Sequence, residues 1–331
     1  MITKSYEIKW QDNLPSNFTK YFGNKNFAVL DIETTGLSKK KNAIILIGLV
    51  VVKDNKATLY QYFAEKLYDE KAVVESTVKL LEDLDFIITF NGKSFDLPFI
   101  KEKTNKYNIP FADIYNLDIY QILKTFSDLG TMLPDLKQKT VEKFMGFGSS
   151  RLDEISGGES VMLYNEYLVT GDKKLEEFIL LHNSDDIEQL YKLIPVIKYA
   201  DFHRAMSNYG FLTDSGAMKV SKIRTVRGNL VISGTVKSSA PYIAFPTDQE
   251  PWVVRMNLEP EVFEIEVPFF TKENYKIIDA SKFVESDNSI FQLPAFESGY
   301  LILEGPERRN YMEINAFTKE ICNKLESLAS L

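Results

Sequence analysis

Apolar residues in the first 120 positions fall into short runs and helical spacings. The runs at residues 27–31, 43–53 and 58–64 predict three consecutive strands joined by polar turns. Residues 69–84 place their apolar side chains on one helix face. A strand at 86–90, a helix from about 94 to 103 and a short strand near 114–117 follow, and 119–193 is predicted to be mostly helical. This mixture of strands and helices predicts an α/β domain.

The pattern changes beyond about residue 205. Short apolar runs separated by Pro, Gly and Asn or Asp predict strands at 229–237, 242–245, 252–258, 262–267, 275–278 and 300–303, and residues 311–328 predict an amphipathic helix. A chain of 331 residues exceeds one domain of roughly 100 to 200 residues. We therefore predict a first domain over residues 1–200 and a smaller β-rich accessory domain with a C-terminal helix over 205–331, whose role the sequence leaves open.

Two acidic residues end the first apolar strand. Asp31 and Glu33 are two positions apart, so a strand projects both side chains on one side. Adjacent carboxylates repel each other unless a cation neutralises them, and carboxylate oxygens favour Mg²⁺ or Mn²⁺. The pair therefore predicts a metal site, although Asp-x-Glu by itself also fits an ordinary solvated strand end.

The context of this pair resembles a known family. Residues 31–37 read DIETTGL and residues 91–99 read NGKSFDLPF, which are similar to the first and second motifs of the DEDD superfamily of 3′-to-5′ exonucleases. The resemblance implies that Asp31, Glu33 and Asp96 are metal ligands. It also implies a group of residues near the terminal nucleotide: Thr34, Thr35, Leu37, Asn91 and Ser94.

The third motif of that superfamily resembles residues 181–190, LHNSDDIEQL. His182 and Asp186 are four residues apart and share one face of a helix. The resemblance implies that Asp186 is the fourth carboxylate and His182 the general base, with Asp185 as a competing ligand. The motif combines the spacing of the tyrosine class with the histidine of the other class, and is most similar to the bacterial YprB-like subfamily.

Taken together, the resemblance implies a ribonuclease H-like fold for residues 1–200, with a mixed five-stranded sheet flanked by helices. It implies a 3′-to-5′ exonuclease that uses two divalent metal ions, Mg²⁺ or Mn²⁺, to hydrolyse DNA or RNA from the 3′ end. Two alternatives remain: a non-catalytic nucleic-acid-binding or scaffold module on the same fold, and a structure-specific endonuclease. Protein partners stay unknown.

The composition changes this picture in two ways. A net charge of −8 excludes a general basic surface, so any contact with nucleic acid should be local. Two basic segments could contribute, or could simply be solvated: 39–41, and the stretch with Lys219, Lys222, Arg224 and Arg227. The single cysteine, and a first segment without an uninterrupted apolar run, predict a cytoplasmic protein without a membrane anchor.

Overall fold

The computed structural model describes residues 1–11, 14–23, 25–147, 157–237 and 240–328. The chain divides into two compact units, Met1–Ala200 and Asp201–Leu331.

A mixed sheet of six strands forms the centre of the first unit. The strands are β1 (Ile2–Ile8), β2 (Phe27–Thr34), β3 (Ile44–Lys53), β4 (Lys56–Phe63), β5 (Phe86–Thr89) and β6 (Tyr115–Asp118). Their order across the sheet is β1-β4-β3-β2-β5-β6. The first four strands pair antiparallel, whereas β5 and β6 run parallel to β2. The central strand β2 therefore joins the antiparallel and parallel halves.

Eight helices of the described chain belong to this unit. They are α1 (Ser16–Phe22), α2 (Glu70–Leu81), α3 (Asp96–Tyr107), α4 (Ile119–Phe126), α5 (Leu129–Met132), α6 (Gln138–Phe144), α7 (Gly157–Thr170) and α8 (Lys173–Leu193), with short 3₁₀ helices at Leu67–Asp69 and Ile194–Tyr199. Apolar residues of α2 and α3 pack on one face of the sheet. Residues of α7 and α8 pack on the other face.

The predicted fold class is confirmed, but the sheet has six strands and the prediction of five was wrong. The additional strand is β1, which pairs with β4 from Ile2 opposite Phe63 to Ile8 opposite Ala57. Most of its residues are exposed because it lies at the edge of the sheet. An edge strand of this kind lacks the apolar run by which the other strands were identified.

The second unit contains two antiparallel sheets. The larger contains β7 (Phe211–Leu212), β8 (Met218–Val226), β9 (Asn229–Val236), β10 (Tyr242–Ala244), β11 (Val253–Met256) and β12 (Val262–Pro268), in the order β10-β11-β12-β9-β8-β7. The smaller contains β13 (Phe270–Lys272), β14 (Tyr275–Asp279), β15 (Phe296–Glu297) and β16 (Tyr300–Glu304). Helices α9 (Phe202–Tyr209) and α10 (Tyr311–Leu328) and 3₁₀ helices at Ala280–Lys282 and Ser289–Gln292 complete it. A β-rich unit with a C-terminal helix is thus confirmed.

The basic segment of this unit is part of a strand. Lys219, Lys222 and Arg224 lie on β8, where Lys222 and Arg224 are exposed, Lys219 is half-buried, and Val220 and Ile223 are buried. Trp252 is 1% exposed and packs against Phe283, so it belongs to the core. In the part of the chain that the structure describes, no helix is both long and apolar enough to cross a bilayer.

Candidate metal centre

The face of β2 that meets α8 carries two acidic side chains. Along β2 the even positions Ala28, Leu30 and Ile32 belong to the apolar layer under α2 and α3. Strand alternation therefore directs Asp31 and Glu33 to the opposite face. Glu33 is only 7% exposed. A strand whose two faces are both covered by helices thus presents two carboxylates to a protein interior.

Asp96, at the start of α3, contacts the same strand β2. It is the first residue of α3 and is buried, and its Oδ1 accepts a hydrogen bond from the backbone N–H of Ile32 at 3.1 Å. This bond ties the start of α3 to the strand residue that separates Asp31 from Glu33. A carboxylate at a helix N-terminus is also favoured by the helix dipole.

Helix α8 supplies a histidine and a further carboxylate. Nε2 of the buried His182 lies 3.6 Å from Glu33 Oε1 and 3.6 Å from Asp186 Oδ2. One ligand atom from each of these three residues lies within 4.8 Å of the others. Asp185, the predicted competitor, instead acts electrostatically on the hydroxyl of Tyr6 on β1. The structure therefore groups Asp186, rather than Asp185, with Glu33 and His182.

The carboxyl groups of this site resist ionisation. Burial, followed by the charges of Asp96, Glu33 and Asp186, raises the pKa of Asp31 well above its ordinary value. Burial raises the pKa of Glu33 to about 7, although the neighbouring His182 acts in the opposite direction. Burial also raises the pKa of Asp96 to about 7, against the hydrogen bond from Ile32. These acids therefore hold protons near neutral pH unless a cation replaces them.

A hydrogen-bonded chain of side chains fixes Asp31 from α8. Asp31, Gly48 and Gln61 lie side by side on β2, β3 and β4. Asn183 of α8 lies over Gly48, donates to Asp31 Oδ2 at 3.3 Å and accepts from Gln61 Nε2 at 3.0 Å. Gln61 also donates to the carbonyl of Leu180 at 2.7 Å. Both amides are buried, so this contact sets the position of α8 on the sheet.

Gly48 makes this contact possible. A Cβ atom at this position would lie 2.1 Å from Asn183 Oδ1, which is far inside van der Waals contact. Neither Gly48 nor Gln61 was predicted from the sequence, because Gly48 lies inside an apolar run and Gln61 in a weakly alternating strand. The available signal was a glycine inside a buried strand, which often marks the close approach of another group.

Asp118 fixes the turn of the second motif by accepting hydrogen bonds from its backbone. Its carboxylate accepts hydrogen bonds from the backbone N–H groups of Asn91 at 2.9 Å and Lys93 at 3.0 Å, and it caps α4 through Gln121 at 3.3 Å. Asn91 has a φ of 67°, a left-handed conformation that Asn tolerates. Asp118 thereby holds the turn that leads into Asp96.

The residues predicted to contact a terminal nucleotide lie in two turns. Thr34 Oγ1 donates to the Gly36 carbonyl at 2.8 Å, and Thr35 Oγ1 accepts from the Ala43 N–H at 2.9 Å, so both hydroxyls are used within their own loop. Leu37 is 87% exposed at this loop. Asn91 and the exposed Ser94 lie in the turn before α3. Their contacts with substrate remain predictions.

Ser160 is an additional polar residue of the site. It lies on α7 and is fully buried, and its proximity to Glu33 lowers the pKa of that carboxyl. Within the described chain, its Oγ makes no hydrogen bond of normal geometry. Ser160 therefore adds a buried polar group to the site, next to Glu33.

The donor set fits a hard divalent cation. Across the described residues, no lysine or arginine forms an ion pair with Asp31, Glu33 or Asp96. Buried carboxylates without such a partner are suited to a divalent cation. The structure thus provides a possible acidic metal site at Glu33, His182 and Asp186.

Comparison with known proteins assigns the first unit to a family. Residues 28–197 match the family model described as the RNase_H superfamily, and because this segment is more than half of the chain, the chain belongs to that superfamily. The segment contains all three motifs. The expected ribonuclease H-like fold is therefore confirmed.

Two curated proteins are similar to about half of the chain. The uncharacterised protein YprB of Bacillus subtilis is 28% identical over 176 residues, which are 53% of this chain and 42% of YprB. A DNA polymerase of Archaeoglobus fulgidus is 23% identical over 197 residues, 52% of this chain and 23% of the polymerase. The match to YprB confirms the predicted YprB-like resemblance, although the chain spans less than half of either relative.

Two solved structures also align with this chain. The family B DNA polymerase of Pyrobaculum calidifontis aligns with a TM-score of 0.42 and 13% identity over 66% of this chain and 33% of that chain. Exonuclease I aligns with a TM-score of 0.37 and 10% identity over 63% of this chain and 55% of that chain.

Proposed function

We propose that this chain is a metal-dependent nuclease that hydrolyses phosphodiester bonds at the 3′ end of DNA or RNA. The observation that carries the proposal is the grouping of Asp31, Glu33, Asp96 and Asp186 around one place, with His182 beside them. Membership of the RNase_H superfamily supports the same reaction class. A site of this composition has no evident use in a purely structural domain, because its carboxylates repel one another.

Asp31, Glu33, Asp96 and Asp186 are the residues proposed to hold two divalent ions, Mg²⁺ or Mn²⁺. When bound, such ions neutralise the carboxylates and the phosphate together and stabilise the charge that develops during phosphoryl displacement. The protein contributes the rigid placement of these ligands. Asn183 fixes Asp31, and the Ile32 N–H fixes Asp96.

His182 is proposed to act as the general base. In this step the oxygen of a water molecule forms a bond to phosphorus while the P–O3′ bond breaks, the water proton passes to His182 Nε2, and the released O3′ takes a proton from solvent. The carboxylates of Glu33 and Asp186, each 3.6 Å from Nε2, would then stabilise the resulting imidazolium. An imidazole suits this role near neutral pH.

End-directed cleavage is supported by the loop after β2. Leu37 is almost fully exposed there, next to the strand that carries Asp31 and Glu33, and an exposed apolar side chain can wedge against a terminal base. A structure-specific endonuclease would share the carboxylates but would cleave circular substrates. A non-catalytic module would share the fold without turnover.

One turnover experiment tests the proposal and separates the alternatives. We would incubate 5′-labelled single-stranded DNA, duplex DNA, RNA and circular single-stranded DNA with the protein and Mn²⁺ or Mg²⁺. We expect a ladder of 3′-shortened products from linear substrates, none from the circle, and loss of the ladder with chelator. The Asp31→Asn variant should lose on the order of 10³-fold or more in rate. Cleavage of the circle, or a ladder that survives Asp31→Asn, would contradict the proposal.

A second measurement distinguishes a base from a ligand at position 182. We expect His182→Gln to slow turnover by about 10²-fold or more while the Mn²⁺ affinity, measured by calorimetry, stays unchanged. The flattening of the pH–rate profile in this variant is the signature of a lost base. A parallel loss of Mn²⁺ affinity would instead make His182 a metal ligand.

A further inference from the structure

A concave site of the first unit lies along α3, the helix that begins with Asp96. It is an open cavity of about 350 Å³ between α3, the loop after β2 and the segment that follows α3. A volume of this size suits a ligand as large as one nucleotide. None of the residues that line it is among the predicted ligands or substrate contacts.

Three lysines line this cavity. Lys39 comes from the loop after β2, Lys93 from the turn before α3, and Lys101 from α3 itself, and all three are exposed. Lys39 and Lys101 form no ion pair with any described residue. Two acids, Glu102 and Asp113, also line it, which leaves an excess of positive charge in a chain whose net charge is −8.

The remaining lining is largely apolar. Leu97, Pro98, Phe111 and Ile114 are all half-buried and present both aliphatic and aromatic surface. Cationic side chains around an apolar and aromatic floor are the combination that binds a phosphate together with a base. A purely ionic surface would lack the floor, and a purely apolar cleft would lack the lysines.

The position of the cavity relates it to the proposed reaction. Leu97 and Pro98 directly follow Asp96 on α3, and Lys93 lies in the turn held by Asp118. Lys39 lies in the same loop as Leu37. The segments that place the carboxylates therefore also form the walls of this cavity.

We propose that this cavity binds one nucleotide of the substrate strand, upstream of the phosphodiester bond that is cleaved. The phosphate contacts Lys39 and Lys101, and the base packs on Phe111. This inference rests on the proposed nuclease function, because it assumes that a strand end lies at the carboxylates. It predicts that the protein contacts several nucleotides of the strand rather than the terminal one alone.

The test compares the binding of a labelled deoxythymidine decamer and a labelled dinucleotide by fluorescence anisotropy, with Ca²⁺ in place of Mg²⁺ to prevent turnover. Wild-type protein should bind the decamer more tightly. Lys39→Glu and Lys101→Glu should each weaken decamer binding about tenfold and lower its salt dependence by about one phosphate contact. Phe111→Leu should weaken decamer binding several-fold without changing the salt dependence, because it removes stacking but no charge.

The matched control is Lys79→Glu. Lys79 is also an exposed lysine on a helix, α2, and does not line the cavity. We expect this variant to retain wild-type affinity for the decamer. Equal weakening by Lys79→Glu and Lys101→Glu would overturn the proposal, because it would indicate a general electrostatic effect.

Binding of free deoxythymidine monophosphate shows whether the cavity binds a nucleotide within a strand or a free nucleotide. If Lys101→Glu abolished calorimetric binding of the mononucleotide but left decamer binding intact, the strand assignment would be wrong. Failure of the nuclease proposal is distinguishable from failure of this one. If decamer binding depends on Lys101 but no substrate is cleaved, the nuclease proposal fails and nucleotide binding in the cavity stands. If substrate is cleaved but the cavity variants bind the decamer as tightly as the wild type, the cavity proposal fails and the nuclease proposal stands.

Discussion

The first unit buries two sets of acidic side chains in opposite ways. Glu70, the first residue of α2, is 1% exposed. Its carboxylate receives hydrogen bonds from the Ile44 N–H at 2.8 Å, from Lys106 at 2.9 Å and from the Tyr107 hydroxyl, and Lys103 lies 3.3 Å away. Burial alone would raise the pKa of Glu70, but these partners outweigh it and the pKa is lowered.

The carboxylates of the candidate metal centre are also desolvated, but their neighbours differ. Each of Asp31, Glu33 and Asp96 has another acid among its main electrostatic neighbours, and the pKa of each is raised. Burial raises the pKa of all four acids, and only at Glu70 do hydrogen-bond partners and a lysine reverse the sign of the shift. The charge of Glu70 is neutralised by neighbouring groups of the protein, whereas the cluster of Asp31, Glu33 and Asp96 is suited to a bound cation. The following predictions test this difference.

The largest expected effect on stability comes from breaking the ion pair between Glu70 and Lys103. Glu70→Gln leaves the buried Lys103 without its carboxylate, and breaking a buried ion pair in this way costs about 3 to 5 kcal/mol of the free energy of unfolding. Urea denaturation of wild-type and variant protein in the presence of chelator measures the difference.

Glu33→Gln serves as the matched comparison, because it makes the same chemical change at another buried glutamate. Without divalent metal we expect it to leave the free energy of unfolding unchanged or to increase it, since one of several repelling carboxylates is removed. A loss as large as that of Glu70→Gln would mean that the two sites do not differ as described.

The next effect is stabilisation by metal. A cation that binds only the folded protein stabilises it by about 2.7 kcal/mol when its free concentration is 100 times Kd. Thermal melts with increasing Mn²⁺ should therefore show a rising melting temperature for the wild type and little change for Asp31→Asn. Glu70→Gln, in contrast, should retain the rise despite its lower starting temperature. A rise of equal size in Asp31→Asn would place the bound metal elsewhere.

A smaller effect is expected at Gly48. Gly48→Ala forces Asn183 away from Asp31, which should cost about 1 to 3 kcal/mol of stability as overpacking and reduce the metal affinity about 10- to 100-fold through the displaced ligand. Calorimetric titration with Mn²⁺ measures the affinity. Gly130→Ala is the control, because its new Cβ would meet Leu136 at an ordinary 3.7 Å. Unchanged affinity in Gly48→Ala would show that Asn183 does not position Asp31.

The residues of the candidate site that lie in recognisable sequence motifs could be predicted from the sequence. Asp31 and Glu33 end an apolar strand, and the resemblance to exonuclease motifs implied Asp96, His182 and Asp186. Gln61 and Gly48 have no such signal, because their role arises only when β3, β4 and α8 come together. The choice of Asp186 over Asp185 likewise depends on how α8 is rotated against the sheet. Lys101 was absent from the prediction for the same reason, as its cavity is formed by three separate segments.

The subtlest effect is the pH dependence of stability at Glu70. Because the folded-state pKa of Glu70 is lowered, its stabilising contribution is fully present above the unfolded value of about 4.3 and is lost as the pH falls through the folded-state pKa. The stability difference between wild-type protein and Glu70→Gln should therefore shrink in acid. Urea denaturation at pH 6, 4 and 3 in the presence of chelator checks this. The pKa values of Lys106 and Tyr107 are raised, so both keep their protons over this range and the change reports on Glu70 itself. A difference that stays constant to pH 3 would indicate that packing, rather than charge, accounts for the effect of the substitution.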